Sequence, residues 1–253
     1  KPVTEMQLSL AARANEDPAF KPTTNHVSDA YWQLATTADD QLRQRVSFAL
    51  SQIFVVSITD DTVSGYPFGI ASYYDMLARN AFRNFRELLD GVATHPMMGL
   101  YLSHLRNQKE DPARGRVPDE NFAREVMQLF TIGLHELNAD GTVRLGDGNQ
   151  PIETYTNDDV TGLAKVFTGW SWGGPDASDA RFYGSVKDPN RESIPMRPYP
   201  KFHSTSEKRF LGTTIPAQNP ADPASSLRIA LDRLFSHPNV GPFIGRQLIQ
   251  RLV

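Results

Sequence analysis

The chain has no cysteine among its 253 residues. That excludes disulfides, thiolate nucleophiles and cysteine-ligated metals, and it leaves the redox compartment open. Long apolar runs are also missing. Even Phe48 to Ile58 is interrupted by Ser51, Gln52 and Ser57, far short of the ~18 apolar residues that a membrane helix needs. The chain reads as soluble, with no transmembrane segment. There is no basic excess either: 26 Lys and Arg stand against 29 Asp and Glu, for a formal charge of −3. Such a balance offers phosphate backbones no attractive field, so nucleic acid is not an expected partner.

Familiar reaction signatures are absent as well. The chain contains no Gly-x-Ser-x-Gly elbow, P-loop or dinucleotide fingerprint, which removes the commonest serine-hydrolase and nucleotide readings. His135-Glu136 lacks a second His at helical spacing, so a zinc-protease helix is not supported. No cofactor and no metal site is expected. Asp140, Asp147 and Asn149 lie in Gly-containing turns of a kind that can hold calcium, but the EF-hand spacing is missing and such residues favour turns without an ion.

What the chain does have is core material and helical periodicity. Apolar residues make up 40%, including 14 Phe, 8 Tyr and 3 Trp, enough for a folded unit. Leu42, Val46, Ala49, Leu50, Ile53 and Phe54 recur at helical spacing, with Arg43, Gln44 and Ser47 on the other side. The cluster from Asp60 to Gly69 reads as a loop before helices over 70–80 and 82–94 and a third beginning at Pro96. Turn residues flank 142–145, predicting a short β-hairpin or an ordered loop within 134–154. Residues 173–200 are rich in Gly, Pro, Ser and Asp and read as a long loop, a lid or a partly mobile excursion. Leu89, Asp90, His95, Pro96 and Gly99 are echoed by Leu231, Asp232, His237, Pro238 and Gly241, a pattern that a diverged duplication would leave. His95 and His237 are expected to cap helices.

The expected fold is all-α, a globular assembly of about eight or nine helices with a small β-hairpin and the long Pro/Gly-rich loop, forming a single domain over 1–253. Starting at Lys1 and stopping at Val253 inside a helical pattern, the chain reads as a processed or truncated piece of a longer polypeptide.

Three sequence blocks carry a resemblance. Glu120-Asn121-Phe122-Ala123-Arg124-Glu125-Val126-Met127-Gln128-Leu129-Phe130-Thr131-Ile132-Gly133 comes first, then Tyr155-Thr156-Asn157-Asp158-Asp159-Val160 continuing through Ala164 and Phe167 to Thr168-Gly169-Trp170. The third is His203, Lys208, Leu211 and Gly212, with Ser204 and Ser206 where the pattern usually has Asp and Gly. Together they resemble the bacterial family known as domain of unknown function 1800, from about Asp39 to the C-terminus. The resemblance implies a bacterial, exported protein, usually larger than this chain; it implies no catalytic mechanism. Ser204 removes a carboxylate that could otherwise have joined His203 in metal binding or proton relay.

Within those blocks, Asn121, Arg124, Glu125 and Gln128 form one polar helix face opposite Phe122, Val126, Leu129 and Phe130. That face is either solvated, with Asp119 as its cap, or part of a polar cleft or buried network. Thr156 and Asp159 have the form of a capping box, Gly169 of a helix stop. Trp170 suits the core, and Trp172 either the core or an aromatic platform. His203 with Lys208 is the best chemical candidate, although a His and a Lys also make an ordinary structural pair. Arg124, Glu125, Asp159, His203 and Lys208 are expected to converge on one polar cleft, with Asn121, Gln128 and Trp172 as binding residues.

The sequence supports a helical binding or structural module of an exported bacterial protein, whose partner would be an extracellular polymer or another exported protein. The alternative is an enzyme, a hydrolase of an extracellular polymer such as a polysaccharide. Glu125 or Asp159 would then act as acid or base, and His203, Lys208 and Arg124 would stabilise charge. If the polar stripe is a network, Glu125→Gln should destabilise markedly and His203→Asn slightly.

Overall fold

The computed structural model describes residues 4–17 and 19–253. It opens with α1 (Thr4–Glu16), α2 (Thr24–Thr37), α3 (Gln41–Ile53), α4 (Pro67–Asn80), α5 (Phe85–Thr94) and α6 (Pro96–Tyr101). The axis of this half is α4, against which the other five pack. Ile70, Ala71, Tyr73, Met76, Leu77 and Ala78 are all buried, as expected of a helix without a polar stripe. Pro67 starts α4 rather than breaking it, because the first turn has no use for a proline's missing N–H; the loop is therefore shorter than the sequence suggests.

The wheel drawn for α3 also needs correcting. Gln44 and Ser47 are buried, while Leu42 and Phe48 are exposed. This helix contacts α2, α4 and α11 (Val240–Leu252) together, so more than one face is covered. The Gln44 amide is satisfied by donating to Asp40 Oδ1 at 2.9 Å.

The second half holds α7 (Asn121–Gln128), α8 (Asn157–Ala164), the short α9 (Asp179–Phe182), α10 (Pro223–Phe235) and α11. Phe122 of α7 stacks on His104 at 3.8 Å and meets Phe167 edge-on at 4.7 Å, which ties the signature helix into the main core. Two small antiparallel pairs complete the fold: β1 (Trp170–Ser171) with β2 (Arg197–Pro198), and β3 (Lys208–Phe210) with β4 (Thr213–Ile215). The mainly helical expectation is met.

Of the two forms expected for 134–154, the ordered loop is the one present. Within 134–154 the pairing is confined to isolated bridges, Leu137 with Val143, Leu145 with Pro151 and His135 with Glu153. Asp140 closes a turn there by accepting the Thr142 N–H at 2.9 Å and its hydroxyl at 2.7 Å. The regular hairpin is β3–β4. Its turn, Leu211-Gly212, is left-handed at both residues (φ 48° and 73°), and leucine is a poor advertisement for such a turn.

The 173–200 segment contributes to the core. Met196 joins the main cluster, and Phe182, Tyr199 and Phe202 form a satellite in which Phe182 stacks on Phe202 at 3.7 Å. Buried Arg181 holds the segment together by ion pairs to Asp176 at 2.9 Å and to Asp188. Gly, Pro and Asp here set turns between anchors.

The two His-Pro joints share a local geometry. His95 Nδ1 accepts the Met97 N–H at 3.2 Å, and His237 Nδ1 accepts the Asn239 N–H at 3.2 Å. His95 therefore caps α6 as expected, whereas His237 falls short of capping α11: it binds the N–H of Asn239, the boundary residue before that helix. α5 packs on α10, and Arg86 lies 3.6 Å from Asp90 and 2.8 Å from Asp232.

β3 lies directly along α8. Asp159 near the start of the helix accepts the Leu211 N–H at 2.6 Å, and Lys165 beyond its end donates to Glu207 O at 3.1 Å. Between them, a Cβ on Gly162 would overlap the carbonyl oxygen of Arg209 and lie 2.7 Å from its carbon. Alanine has the better helix propensity by about 1 kcal/mol. In this position Gly162→Ala is nevertheless expected to destabilise the protein by about 2–3 kcal/mol, because only backbone could yield. A thermal melt checks it; a variant as stable as the parent would mean that β3 can lift from α8 freely.

Candidate functional site

The third sequence block folds into a closed polar cluster. His203 and Lys208 are each 0% exposed. His203 Nδ1 lies 2.8 Å from Thr168 O, and Nε2 lies 3.1 Å from Ser226 Oγ. A carbonyl can only accept, so Nδ1 carries the proton and Nε2 is an acceptor facing the Ser226 hydroxyl, whose single proton is also within reach of Asp222 O at 2.9 Å and Gln218 Oε1 at 3.2 Å. Burial pulls the His203 pKa down to about 4, opposed by the Thr168 carbonyl and assisted by Lys208; the ring is neutral near pH 7.

Lys208 Nζ donates to Ser204 O at 2.8 Å, Ser206 O at 3.3 Å and Gln218 Oε1 at 3.3 Å. An ammonium has three protons, so its donors are fully used. Burial draws its pKa down to about 8, with Glu110 acting in the opposite direction. Glu110 reaches in from the loop before α7, its Oε1 accepting from Ser204 Oγ at 3.0 Å. Burial pushes that carboxyl up, but the Ser206 and Ser204 hydroxyls, its own backbone N–H and Lys165 outweigh burial and hold it below the usual range. A carboxylate thus stands beside Ser204 after all, supplied by a remote segment. Glu110, Gln218 and Ser226 were not anticipated from the sequence. The one available signal was Ser204 itself, which announces a missing carboxylate without locating its replacement.

Asp159 has a different task. Its Oδ2 accepts the Thr156 N–H at 2.7 Å and hydroxyl at 2.8 Å, and its Oδ1 accepts from Leu211 N. The capping box is present as expected, and the same carboxylate also pins the strained Leu211 turn. Burial raises its pKa, but the Thr156 and Leu211 donors dominate and lower it.

On α7, Asp119 accepts the Asn121 N–H at 2.9 Å although the boundary residue is Glu120. Asn121 is exposed, and Leu129, assigned to the apolar side, is exposed too. Arg124 lies 3.4 Å from Glu120 Oε2 and donates to Asn157 Oδ1 at 3.4 Å, and Glu120 Oε1 accepts from Thr161 at 2.8 Å. Gln128 Oε1 accepts from the Tyr155 hydroxyl at 3.1 Å. Glu125 is half-buried, and burial raises its carboxyl despite nearby Arg124. Trp172 is buried, with the Arg191 guanidinium 4.3 Å above its ring.

The sequence candidates therefore form two groups joined through α8. Arg124 meets the helix at Asn157, and Asp159 hands on to the hairpin that carries Lys208. Among the described residues, no hydrogen bond links Arg124 or Glu125 to His203 or Lys208. No group of three or more His, Asp or Glu suited to a metal ion occurs among the described residues, and no helix there is long and apolar enough to cross a membrane.

A mainly helical fold with a buried internal polar cluster is the class that this geometry defines. The chain belongs to the family described as "Protein of unknown function (DUF1800)", whose model matches residues 3–253. No curated protein and no solved structure matches it.

Burial makes the cluster and the two other inward-facing histidines sensitive to acid. The pKa values of His95, His104 and His203 are lowered to about 3, about 4 and about 4. An unfolded histidine titrates near ~6.5, so below that pH the unfolded chain takes up protons that the folded one refuses. Stability is expected to be full above pH ~6.5 and to fall as the pH drops toward 4. The depressed carboxylates Asp159 and Glu110 contribute only lower, at and below the ordinary carboxylate range. Urea unfolding across pH 4 to 7 measures the slope, which His203→Asn should flatten; a stability independent of pH over that window would contradict the neutral, buried state.

Proposed function

We propose that this chain is a non-catalytic helical binding module of an exported bacterial protein, in which the His203–Lys208 cluster is a brace. The observation that carries this reading is the closure of the cluster. His203 and Lys208 are 0% exposed, Nδ1 donates to Thr168 O, Nε2 faces Ser226 Oγ, and the ammonium has three acceptors. The Ser226–His203 contact has the form of an activated nucleophile with its base, but Ser226 is itself 0% exposed and no substrate atom can approach it. Acid–base work requires a reacting atom within hydrogen-bond reach. Export rests on the family resemblance.

Ligand contact is left to the half-exposed side chains of α7, namely Arg124, Glu125 and Gln128, together with Tyr155. The expectation for Glu125→Gln and His203→Asn is accordingly reversed. Glu125, whose neutral form burial already favours, should tolerate replacement with little change in melting temperature. His203→Asn and Lys208→Met should each cost about 2–3 kcal/mol, because each leaves buried polar groups without partners. Parallel thermal melts of the three variants decide the matter. Parent-like melting of both His203→Asn and Lys208→Met would refute the brace.

A further inference from the structure

Between the end of α6 and the start of α7, the chain from Ser103 to Asp119 walls an open groove of about 450 Å3. Its polar lining is Ser103, Arg106, Gln108, Arg116 and Asp119, with Asn107 beneath. Arg106 is exposed, and its guanidinium makes a single hydrogen bond, from Nη1 to Tyr183 O at 3.4 Å. Arg116 donates Nε to Lys109 O at 2.9 Å and lies 3.8 Å from Asp111, a carboxylate that it shares with Arg114 at 3.6 Å. Asp119 is the one acid of the lining; its Oδ1 accepts the Asn121 N–H at 2.9 Å, and the Ser103 hydroxyl lies 3.0 Å from Oδ2 and 2.8 Å from Leu102 O. Two arginines against one carboxylate leave the groove lining cationic on a chain whose net charge is −3.

It is also rigid. Asn107 is buried and clamps the far wall, accepting the Asp119 N–H at 2.9 Å and donating to its carbonyl at 3.1 Å. The Arg106 N–H is fixed to Trp170 O at 2.9 Å. Ser103 and Arg106 are both left-handed, with φ of 61° and 70°. Glycine would adopt that backbone without strain, so these side chains are carried at a conformational cost. For Ser103 the return is a hydroxyl placed between Leu102 O and Asp119. Arg106 has only the long contact to Tyr183 O, and it lines the groove.

We propose that this groove binds a small organic or inorganic oxyanion, a carboxylate or a phosphate. Arg106 and Arg116 would supply planar pairs of donors that match such oxygens, while Gln108 and Ser103 line the space beside them. None of these residues belongs to the brace, so stability reports on the brace and anion binding reports on the groove.

The test is a thermal-shift titration of the whole chain with sodium phosphate, with sodium glucuronate and with glucose, at ionic strength held constant with sodium chloride. A saturable rise in melting temperature is expected with phosphate or glucuronate and not with glucose; whichever anion acts identifies the headgroup. Arg106→Gly and Arg116→Gln should each weaken the half-saturation at least tenfold. Arg106→Gly also relieves the left-handed backbone, so it should melt no lower than the parent, which keeps the test readable if Arg116→Gln does not fold. The proposal is overturned if neither anion gives a saturable shift, if glucose matches glucuronate, or if Arg106→Gly retains the parent half-saturation.

Discussion

A strand backbone and a helix backbone touch in this protein at Gly162, where the carbonyl of Arg209 occupies the space of a side chain. Much of the second half of the structure depends on that approach. It brings Leu211 within reach of Asp159, so that one carboxylate caps a helix and holds a left-handed turn. It also presses Lys208 inward, where a four-carbon stem crosses the core and its charge ends among carbonyl oxygens. A glycine within a helix usually weakens it. In α8 the loss of propensity is offset by the closeness of the packing.

The polar cluster that follows is an economical way to bury a cation. Solvation removed from Lys208 is replaced by three fixed acceptors, with the Glu110 carboxylate nearby to balance charge. Groups buried in this manner contribute little net stability when complete and cost much when one member is lost. Their value lies in specifying one arrangement. The loop before α7, the end of α8, the β3–β4 hairpin and the start of α10 each supply a member, and a shift of any one of them would leave a buried donor or acceptor unmet.

Legibility from sequence divided along physical lines. Periodicity located α3, α5 and α7 because their apolar residues recur with the helical repeat, and the Thr156–Asp159 box announced the start of α8. The His95 cap could be read because an imidazole two residues ahead of a free N–H is a local relationship. The parts that were not legible are non-local. Ser204 and Glu110 are separated by 94 positions, and no pattern in either neighbourhood names the other. Gln44 and Ser47 were assigned to the wrong side because several helices cover α3 at once, which a single wheel cannot represent. The β3–β4 hairpin escaped because its strands are short and its turn begins with leucine, a residue that takes this conformation only when tertiary contacts such as Asp159 and the Arg233 bond to Leu211 O impose it.

The span of these contacts also sets an order of assembly. The helices α1 to α6 can enclose α4 using neighbours close in the chain, and such local contacts form early because little loop entropy is lost. His203 waits for Ser226, and Ser204 must find Glu110 across nearly the whole middle of the sequence. During synthesis from the N-terminus, α4 can therefore be wrapped while the hydroxyls, amide and carboxylate of the cluster are still scattered. The motif residues close last, acting as a latch on a core that the first third of the chain has already begun to build.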